Sequence, residues 1–217
     1  MDDSLGAIVQ RDGTSYAIVP RTPVGLITPE ILETIARVAR QYEIPVIKIT
    51  SGQRLALVGL KAEMVPEVWQ QLGLGVGPAV GVCVHFVQAC PGSTLCRFGV
   101  QDSLALGTRL EELFVGKEMP AKVKLGISGC TMNCGASYLR DFGAFGKRSG
   151  WTAVFGGNAG ARPRIGDVIA EGLAADGVVV LARACFDYYT AHARPKERTA
   201  RFIERVGIDE FKRAVLA

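Results

Sequence analysis

The sequence predicts an α+β fold in two parts, and three observations carry that reading. The first 72 residues pattern as β-α-β-β-α. A glycine-rich stretch at 73–78 (GLGVGP) then breaks the pattern and marks a boundary. Beyond it a second series of strands and helices begins, and it carries two close pairs of cysteines. The boundary divides the chain into residues 1–76 and 77–217.

In the first part, residues 14–20 (TSYAIVP) read as a short strand. Thr28 is placed to cap a helix that opens with Pro29, a residue suited to the first helical position. Ile31, Ile35, Val38 and Tyr42 recur at helical spacing and should face a core. Residues 45–50 (PVIKIT) and 54–59 (RLALVG) read as two strands around the turn Ser51-Gly52-Gln53, and a helix follows at 62–72. This order is half of a ferredoxin-like unit. In the second part, strands are expected at 80–88, 122–128, 151–155 and 176–182. Helices are expected at 102–115, briefly after Cys134, and over roughly 184–216.

Composition narrows the function classes. Apolar residues make up 48% and charged residues 21%, with mean hydropathy +0.22, which excludes a disordered chain. No apolar run reaches the ~20 residues that span a bilayer. The start, Met-Asp-Asp-Ser, is acidic and lacks the apolar stretch of a secretory signal, so a soluble cytoplasmic protein is expected. A net charge of +4 and 7% aromatics give no ground for nucleic-acid binding, and neither nucleic acid nor membrane is expected as a partner. Six cysteines in such a chain point to metal, cluster or redox chemistry. There are 26 glycines in 217 residues, against about 7% on average, and many lie between Gly126 and Gly166. Backbone there is expected to approach something closely.

Cys90 and Cys96 have five residues between them, Cys130 and Cys134 have three, and thirty-three separate the pairs. Four thiolates can hold an iron–sulfur cubane. If residues 130–134 form one helical turn, the two Cβ atoms lie ~5–6 Å apart, too far for a disulfide and suited to two corners of a cluster. A four-cysteine zinc site, which usually has tighter pairs, and inert buried thiols remain open on spacing alone. Cys83 and Cys185 sit in apolar segments and read as buried.

The segment 89–103 (ACPGSTLCRFGVQDS) followed by 126–135 (GISGCTMNCG) resembles the signature of the siroheme-containing nitrite and sulfite reductases. The likeness extends to residues 50–54 (TSGQR) and 156–160 (GGNAG), and so runs from about Val46 to the helical end. It implies that Cys90, Cys96, Cys130 and Cys134 bind a 4Fe-4S cluster, and that Cys134 also joins the cluster to the siroheme iron. It implies a ferredoxin-like half-domain followed by a siroheme and cluster-binding α/β domain, in one copy where long relatives have two.

Siroheme carries carboxylates and the substrate is an anion, so fixed positive charge is needed. Lys122 and Lys124 lie two apart on a strand leading to Cys130 and so share a face. The resemblance implies that they contact substrate oxygens and donate protons, the other reading being a solvated strand face. It also implies an arginine near Arg54 at the siroheme, where a guanidinium suits a carboxylate or oxyanion. Where many relatives have an arginine before the first cysteine, this chain has His85, which is either a core residue or a proton donor facing the site. Gly157 and Asn158 lie in a glycine loop whose amides suit carboxylates, with Arg162 and Arg164 as pairing cations or solvated surface. Arg97 and Asn133 are also expected near the cofactors, whereas His192 reads as surface.

The resemblance implies a cytoplasmic oxidoreductase that reduces sulfite to sulfide by six electrons, with nitrite to ammonia as the alternative. A non-catalytic iron–sulfur electron-transfer protein of the same fold is the competing class. The chain has no Gly-x-Gly-x-x-Gly fingerprint after a strand and no further ferredoxin module, so an external electron donor such as a ferredoxin is expected. Basic residues near the end, Arg194, Lys196, Arg198, Arg201 and Arg205, offer a docking face for an acidic carrier or a solvated helix face. In duplicated relatives the basic residues come from one repeat and the working cysteines from the other. A single-repeat chain therefore has reason to form a homodimer, with Lys122, Lys124 and Arg54 reaching the partner's siroheme.

Overall fold

The computed structural model describes residues 6–217, and these divide into two compact units, one ending at Val80 and one spanning Gly81–Ala217. Residues 77 and 78 are tied to the first unit: the Gly77 amide donates to the Val19 carbonyl, and the Arg54 Nη1 to the Pro78 carbonyl. The structural division thus falls four residues beyond the one read from the glycine run.

The first unit is an antiparallel sheet in the order β1 (Ile8–Val9), β2 (Tyr16–Ile18), β4 (Leu55–Leu60), β3 (Val46–Ile49). Two helices, α1 (Pro29–Gln41) and α2 (Val65–Leu72), share its core of Ile18, Ile35, Val38, Leu57, Leu60 and Val68. The Thr28 hydroxyl caps α1 by accepting from the Ile31 amide at 3.4 Å. Only β1 was not anticipated; two residues are too short to show an alternating pattern. Strand β3 lies at the sheet's edge, with Val46, Ile47 and Ile49 exposed.

The second unit is a five-stranded sheet in the order β5 (Val84–Ala89), β6 (Val123–Ser128), β7 (Phe142–Lys147), β8 (Gly150–Phe155), β9 (Asp167–Leu173). The first three run parallel and the last two are added antiparallel. A short helix α3 (Gly92–Leu95) and the crossover helix α4 (Ser103–Phe114) join β5 to β6. Three helices follow: α5 (Ala175–His192), α6 (Thr199–Val206) and α7 (Ile208–Val215). They close an aromatic core in which Phe155 stacks on Phe211 at 4.6 Å between centroids and meets Phe186 and Tyr189 edge-on.

The strand expected at 176–182 is the first half of α5. Val178, Leu181, Ala182, Cys185 and Tyr189 are buried at helical spacing while Val180 is exposed, so packing of a helical stripe overrides the β-branched run. Strands β7 and β9 were not anticipated. Gly143 and Gly146 hide β7 (FGAFGK) from an alternation test. The helical end is three helices with a connection at 193–198. No helix among the described residues is long and apolar enough to cross a membrane.

Asp141, only 1% exposed, pins the C-terminal helices to the sheet. Its carboxylate accepts from the Lys124 amide at 2.8 Å, the Thr199 hydroxyl at 2.6 Å and Arg198 Nη2 at 2.9 Å. Burial pushes this carboxyl up and Arg198 pulls it back. Asp141→Ala strands these donors, and breaking a buried pair costs ~3–5 kcal/mol. Arg198 is a third exposed and can turn to water, so the low end, about 3 kcal/mol, is expected as a lowered urea midpoint.

Candidate functional site

Parallel strands deliver their carboxyl ends to one edge of a sheet, the usual place for ligands in such folds. Here β5 runs out into Cys90, and β6 into Gly129 and Cys130. The two cysteine loops are stitched together. The Gly129 carbonyl accepts from the amides of Val100 and Gln101 at 2.8 and 3.0 Å, and the Cys90 amide donates to the Ile127 carbonyl at 3.1 Å. The result brings Cys90, Cys96, Cys130 and Cys134 to the wall of one cavity of ≈ 130 Å³, together with Pro91, Gly92, Phe98, Gly99 and Met132.

The four thiols are not equivalent. Cys90 is buried, and its Sγ accepts from the Gly129 amide at 3.1 Å and lies 3.3 Å from the Ser103 hydroxyl. Cys96 and Cys130 are half-buried and Cys134 is exposed. Residues 130–134 form successive turns rather than the helical turn considered above, with the Asn133 amide on the Cys130 carbonyl and the Ala136 amide on that of Asn133. Asn133 and Ala136 adopt left-handed φ angles of 60° and 55°. Beyond them only a 3-10 turn, Ser137–Leu139, stands where a short helix was expected.

The residues suit a multi-atom inorganic group. Four thiols surround a cavity, whereas no three His, Cys, Asp or Glu side chains among the described residues converge on a single-ion site. An amide donor already faces the Cys90 sulfur, at 3.1 Å from the Gly129 nitrogen. The Asn133 Oδ1, between two of the cysteines, is buried and has no hydrogen-bond partner among the described residues.

Gly135 is where the loop touches the sheet: a Cβ there would lie 2.1 Å from the Ile127 carbonyl oxygen. Gly135→Ala must push main chain from main chain. It is expected to destabilise the unit by about 3 kcal/mol and to lower iron and labile sulfide per chain. Wild-type iron content in that variant would show that the loop yields.

Lys122 and Lys124 are both half-buried, Lys124 within β6 and Lys122 just before it. Burial pushes the Lys124 ammonium below the usual lysine range; the positive charges of Arg140, Arg198 and Lys122 push it further, and Asp141 opposes them. Lys124 Nζ lies 5.6 Å from the centre of the Phe86 ring. Arg54, in the first unit, lines a cavity of ≈ 330 Å³ with Gly25, Ile49, Thr50 and Gln53.

Of the other expected site residues, His85, Asn158 and Arg164 have partners within the fold. His85 is the extra residue of a bulge between Val84 and Phe86; it is 3% exposed, with Nε2 3.0 Å from the Gly81 carbonyl, and is absent from the cavity wall. Arg164 is neutralised by Asp167 at 2.5 Å and also donates to the Gly156 carbonyl, so it is spent within its own loop. Asn158 likewise serves the loop, donating to the Arg162 carbonyl and accepting from the Gly160 amide. Gly157 is buried against the chain at Tyr138 and Arg140, and Arg162 is exposed. Arg97 is exposed with its guanidinium 4.6 Å from the centre of the Phe98 ring. Cys83 is half-buried rather than buried, whereas Cys185 is buried, which pushes its thiol up. His192 is exposed and stacks on Tyr188.

The basic C-terminal face is also internally paired: Arg198 with Asp141, Arg201 with Glu204, and Arg205 with Glu197. Sequence reasoning overlooked Ser103, Arg140 and Asp141. The Arg140-Asp141 pair opening a glycine-interrupted strand was the available signal for the last two.

Comparison with known proteins agrees with this architecture. Residues 81–217 match the nitrite and sulphite reductase 4Fe-4S domain, and residues 8–74 match the nitrite/sulfite reductase ferredoxin-like half domain. The chain is 55% identical over 215 residues to the assimilatory-type sulfite reductase of Nitratidesulfovibrio vulgaris, covering 99% of both chains. It is 41% identical over 208 residues to the NAD(P)H nitrite reductase of Bacillus subtilis, 96% of this chain but 26% of that one. Among solved structures, dissimilatory sulfite reductase I superposes with a TM-score of 0.83 at 14% identity, covering 94% of this chain and 69% of that one. The NirA protein of Mycobacterium tuberculosis superposes with a TM-score of 0.80 at 20% identity, covering 95% of this chain and 42% of that one. With one ferredoxin-like half domain, one 4Fe-4S domain and four cysteines around one cavity, this chain belongs to the nitrite and sulphite reductase family, whose cofactors are siroheme and a 4Fe-4S cluster.

Proposed function

We propose that this chain is a siroheme and 4Fe-4S oxidoreductase that reduces sulfite to sulfide. The observation that carries the reading is the convergence of Cys90, Cys96, Cys130 and Cys134 on one cavity at the end of the strand that bears Lys124. Identity of 55% to a sulfite reductase of the same length favours sulfite over nitrite.

In this reading the four thiolates hold the cluster, and Cys134, the exposed one, is shared with the siroheme iron. When bound, the siroheme and cluster would supply the electrons that reduce the anion. The chain's own part is electrostatic and protonic. Lys122 and Lys124 hold oxyanion negative charge and deliver protons to oxygens as S–O bonds break. Arg54 is proposed for a carboxylate or substrate oxygen, Arg97 and Asn133 for the cofactor surround, and Arg162 and the Gly157 amide for siroheme carboxylates. His85, Asn158 and Arg164 are not included, because the contacts described above occupy them.

The reading includes two partners. One is an external electron donor, a ferredoxin or other small redox protein. The other is a second copy of the chain; the exposed edge strand β3 supports self-association. Six free cysteines suit the reducing cytoplasm.

Anaerobic purification with iron and labile-sulfide analysis, a visible spectrum, and sulfide formation from sulfite with a reduced dye test the proposal. Red-region siroheme bands, carbon monoxide binding after reduction and a higher kcat/KM for sulfite than for nitrite are expected. Iron without macrocycle leaves an electron carrier, and absence of iron ends the proposal. A dilution series by light scattering that finds an active monomer removes the second copy.

A further inference from the structure

After Cys134 the chain folds back over the face of β6 that carries Lys124. Gly126 makes this possible: a Cβ there would sit 2.4 Å from the Gly135 carbonyl oxygen and 2.7 Å from Arg140 Cγ. Arg140 therefore lies flat across the strand, one alternation beyond Lys124 towards Cys130. Two further contacts fix its position. Nη2 donates to Gln88 Oε1 at 2.5 Å, and Gln88 is the β5 partner of Gly126. The guanidinium lies 5.9 Å from the centre of the same Phe86 ring that Lys124 Nζ approaches at 5.6 Å. Asp141 is next in the chain, but its carboxylate is taken up by Arg198, Thr199 and the Lys124 amide.

This arrangement leaves a cation with capacity to spare. Among the described residues Arg140 Nε is buried with no hydrogen-bond partner, and the guanidinium forms no ion pair, although the charge of the neighbouring Asp141 acts on it. A purely structural arginine half out of water normally satisfies all of its fork or pairs with a carboxylate. Two cations on one aromatic ring also repel each other, and an anion shared between them relieves that cost.

We propose that Arg140, tethered by Gln88, is a further anion-contacting cation of this site and binds an oxyanion of carboxylate or sulfite type beside Lys124. The inference rests on the siroheme and sulfite reading and adds a residue to it. Its ligand has two possible sources, a siroheme carboxylate or the substrate, and the same experiment separates them.

The holoprotein of Arg140→Gln is compared with wild type in siroheme per chain from the visible spectrum, in cluster content from labile sulfide, and in the spectral titration with sulfite. If the ligand is a siroheme carboxylate, siroheme per chain falls severalfold at unchanged labile sulfide. If it is substrate, siroheme content holds and the sulfite concentration at half-change rises by about tenfold or more, the scale of one charge-assisted contact. Arg140→Lys, which keeps the charge but not the fork, should recover part of either loss. Siroheme content and sulfite titration both equal to wild type overturn the assignment. Should Arg140→Gln fail to fold, Gln88→Ala decides by the same two readouts, since it keeps the guanidinium and removes its tether. A wild-type protein without siroheme refutes the parent reading instead, before any variant is compared.

Discussion

Replacing Cys134 with serine is expected to leave a folded protein that has lost magnetic coupling between cluster and siroheme, and at least ~100-fold of its sulfite reduction. Removing a second-shell partner of a metal ligand already costs 10–100-fold, and a ligand shared by two centres counts for more. The choice of Cys134 among the four comes from the family resemblance, and its exposure is compatible with it. Cys90 is buried, with the Gly129 amide on its sulfur and the Ser103 hydroxyl beside it, so it faces inward only. Cys134 alone of the quartet is exposed, and it lines the same cavity. Serine preserves the shape and offers a harder, less acidic donor. Low-temperature electron paramagnetic resonance and iron analysis read the outcome. Cys83→Ser, half-buried and outside the cavity wall, is the control expected to keep coupling. Coupling and turnover retained in Cys134→Ser would transfer the shared position to another thiol.

The cysteine quartet was legible in the sequence through the family resemblance, which its pair spacing and loop glycines carry as local signals; spacing alone left other readings open. So were the Thr28 cap and the β3–β4 hairpin, each of which is decided within a few residues. What was not legible depended on partners far away in the chain. Residues 176–182 carry a β-branched run that reads as a strand, but Val178, Leu181 and Ala182 belong to a buried helical stripe that continues to Tyr189, which packs on Phe155. Arg164 was read as a siroheme partner or a solvated surface arginine, and in the fold it pairs with Asp167, three residues on. The Arg201 and Arg205 charges, read as either a docking face or a solvated helix face, pair with Glu204 and Glu197. Charge counted along a chain says little about charge left over after pairing. The same rule runs in reverse for Arg140, which drew no attention in the sequence and keeps unused donor capacity in the fold.

Lys124→Met is expected to lose ~10²–10³-fold in kcat/KM for sulfite, the cost of removing one preorganised donor of negative-charge stabilisation. It is also expected to be no less stable than wild type at neutral pH. The second expectation follows from the direction of the Lys124 shift. Burial, Arg140, Arg198 and Lys122 together hold its pKa below that of an ordinary lysine. Folding therefore disfavours the charged form. The stability linked to this titration is complete only above the ordinary lysine range, near pH 10.5, and is lost as pH falls through the lowered folded value. At neutral pH the charged side chain is a net cost to folding, offset only in part by Asp141. Methionine keeps the unbranched stem against Phe86 and removes that cost. Urea midpoints at neutral pH and at pH 10 separate the two roles, because the gap between variant and wild type should narrow as Lys124 loses its proton. The alkaline limb of the rate profile gives an independent reading. In wild type it should fall at a lower pH than an unperturbed lysine would give, and in Lys124→Arg it should move to higher pH because the guanidinium stays protonated. A Lys124→Met protein whose activity falls only in proportion to a lowered urea midpoint would make the residue a packing element and leave the anion to other cations.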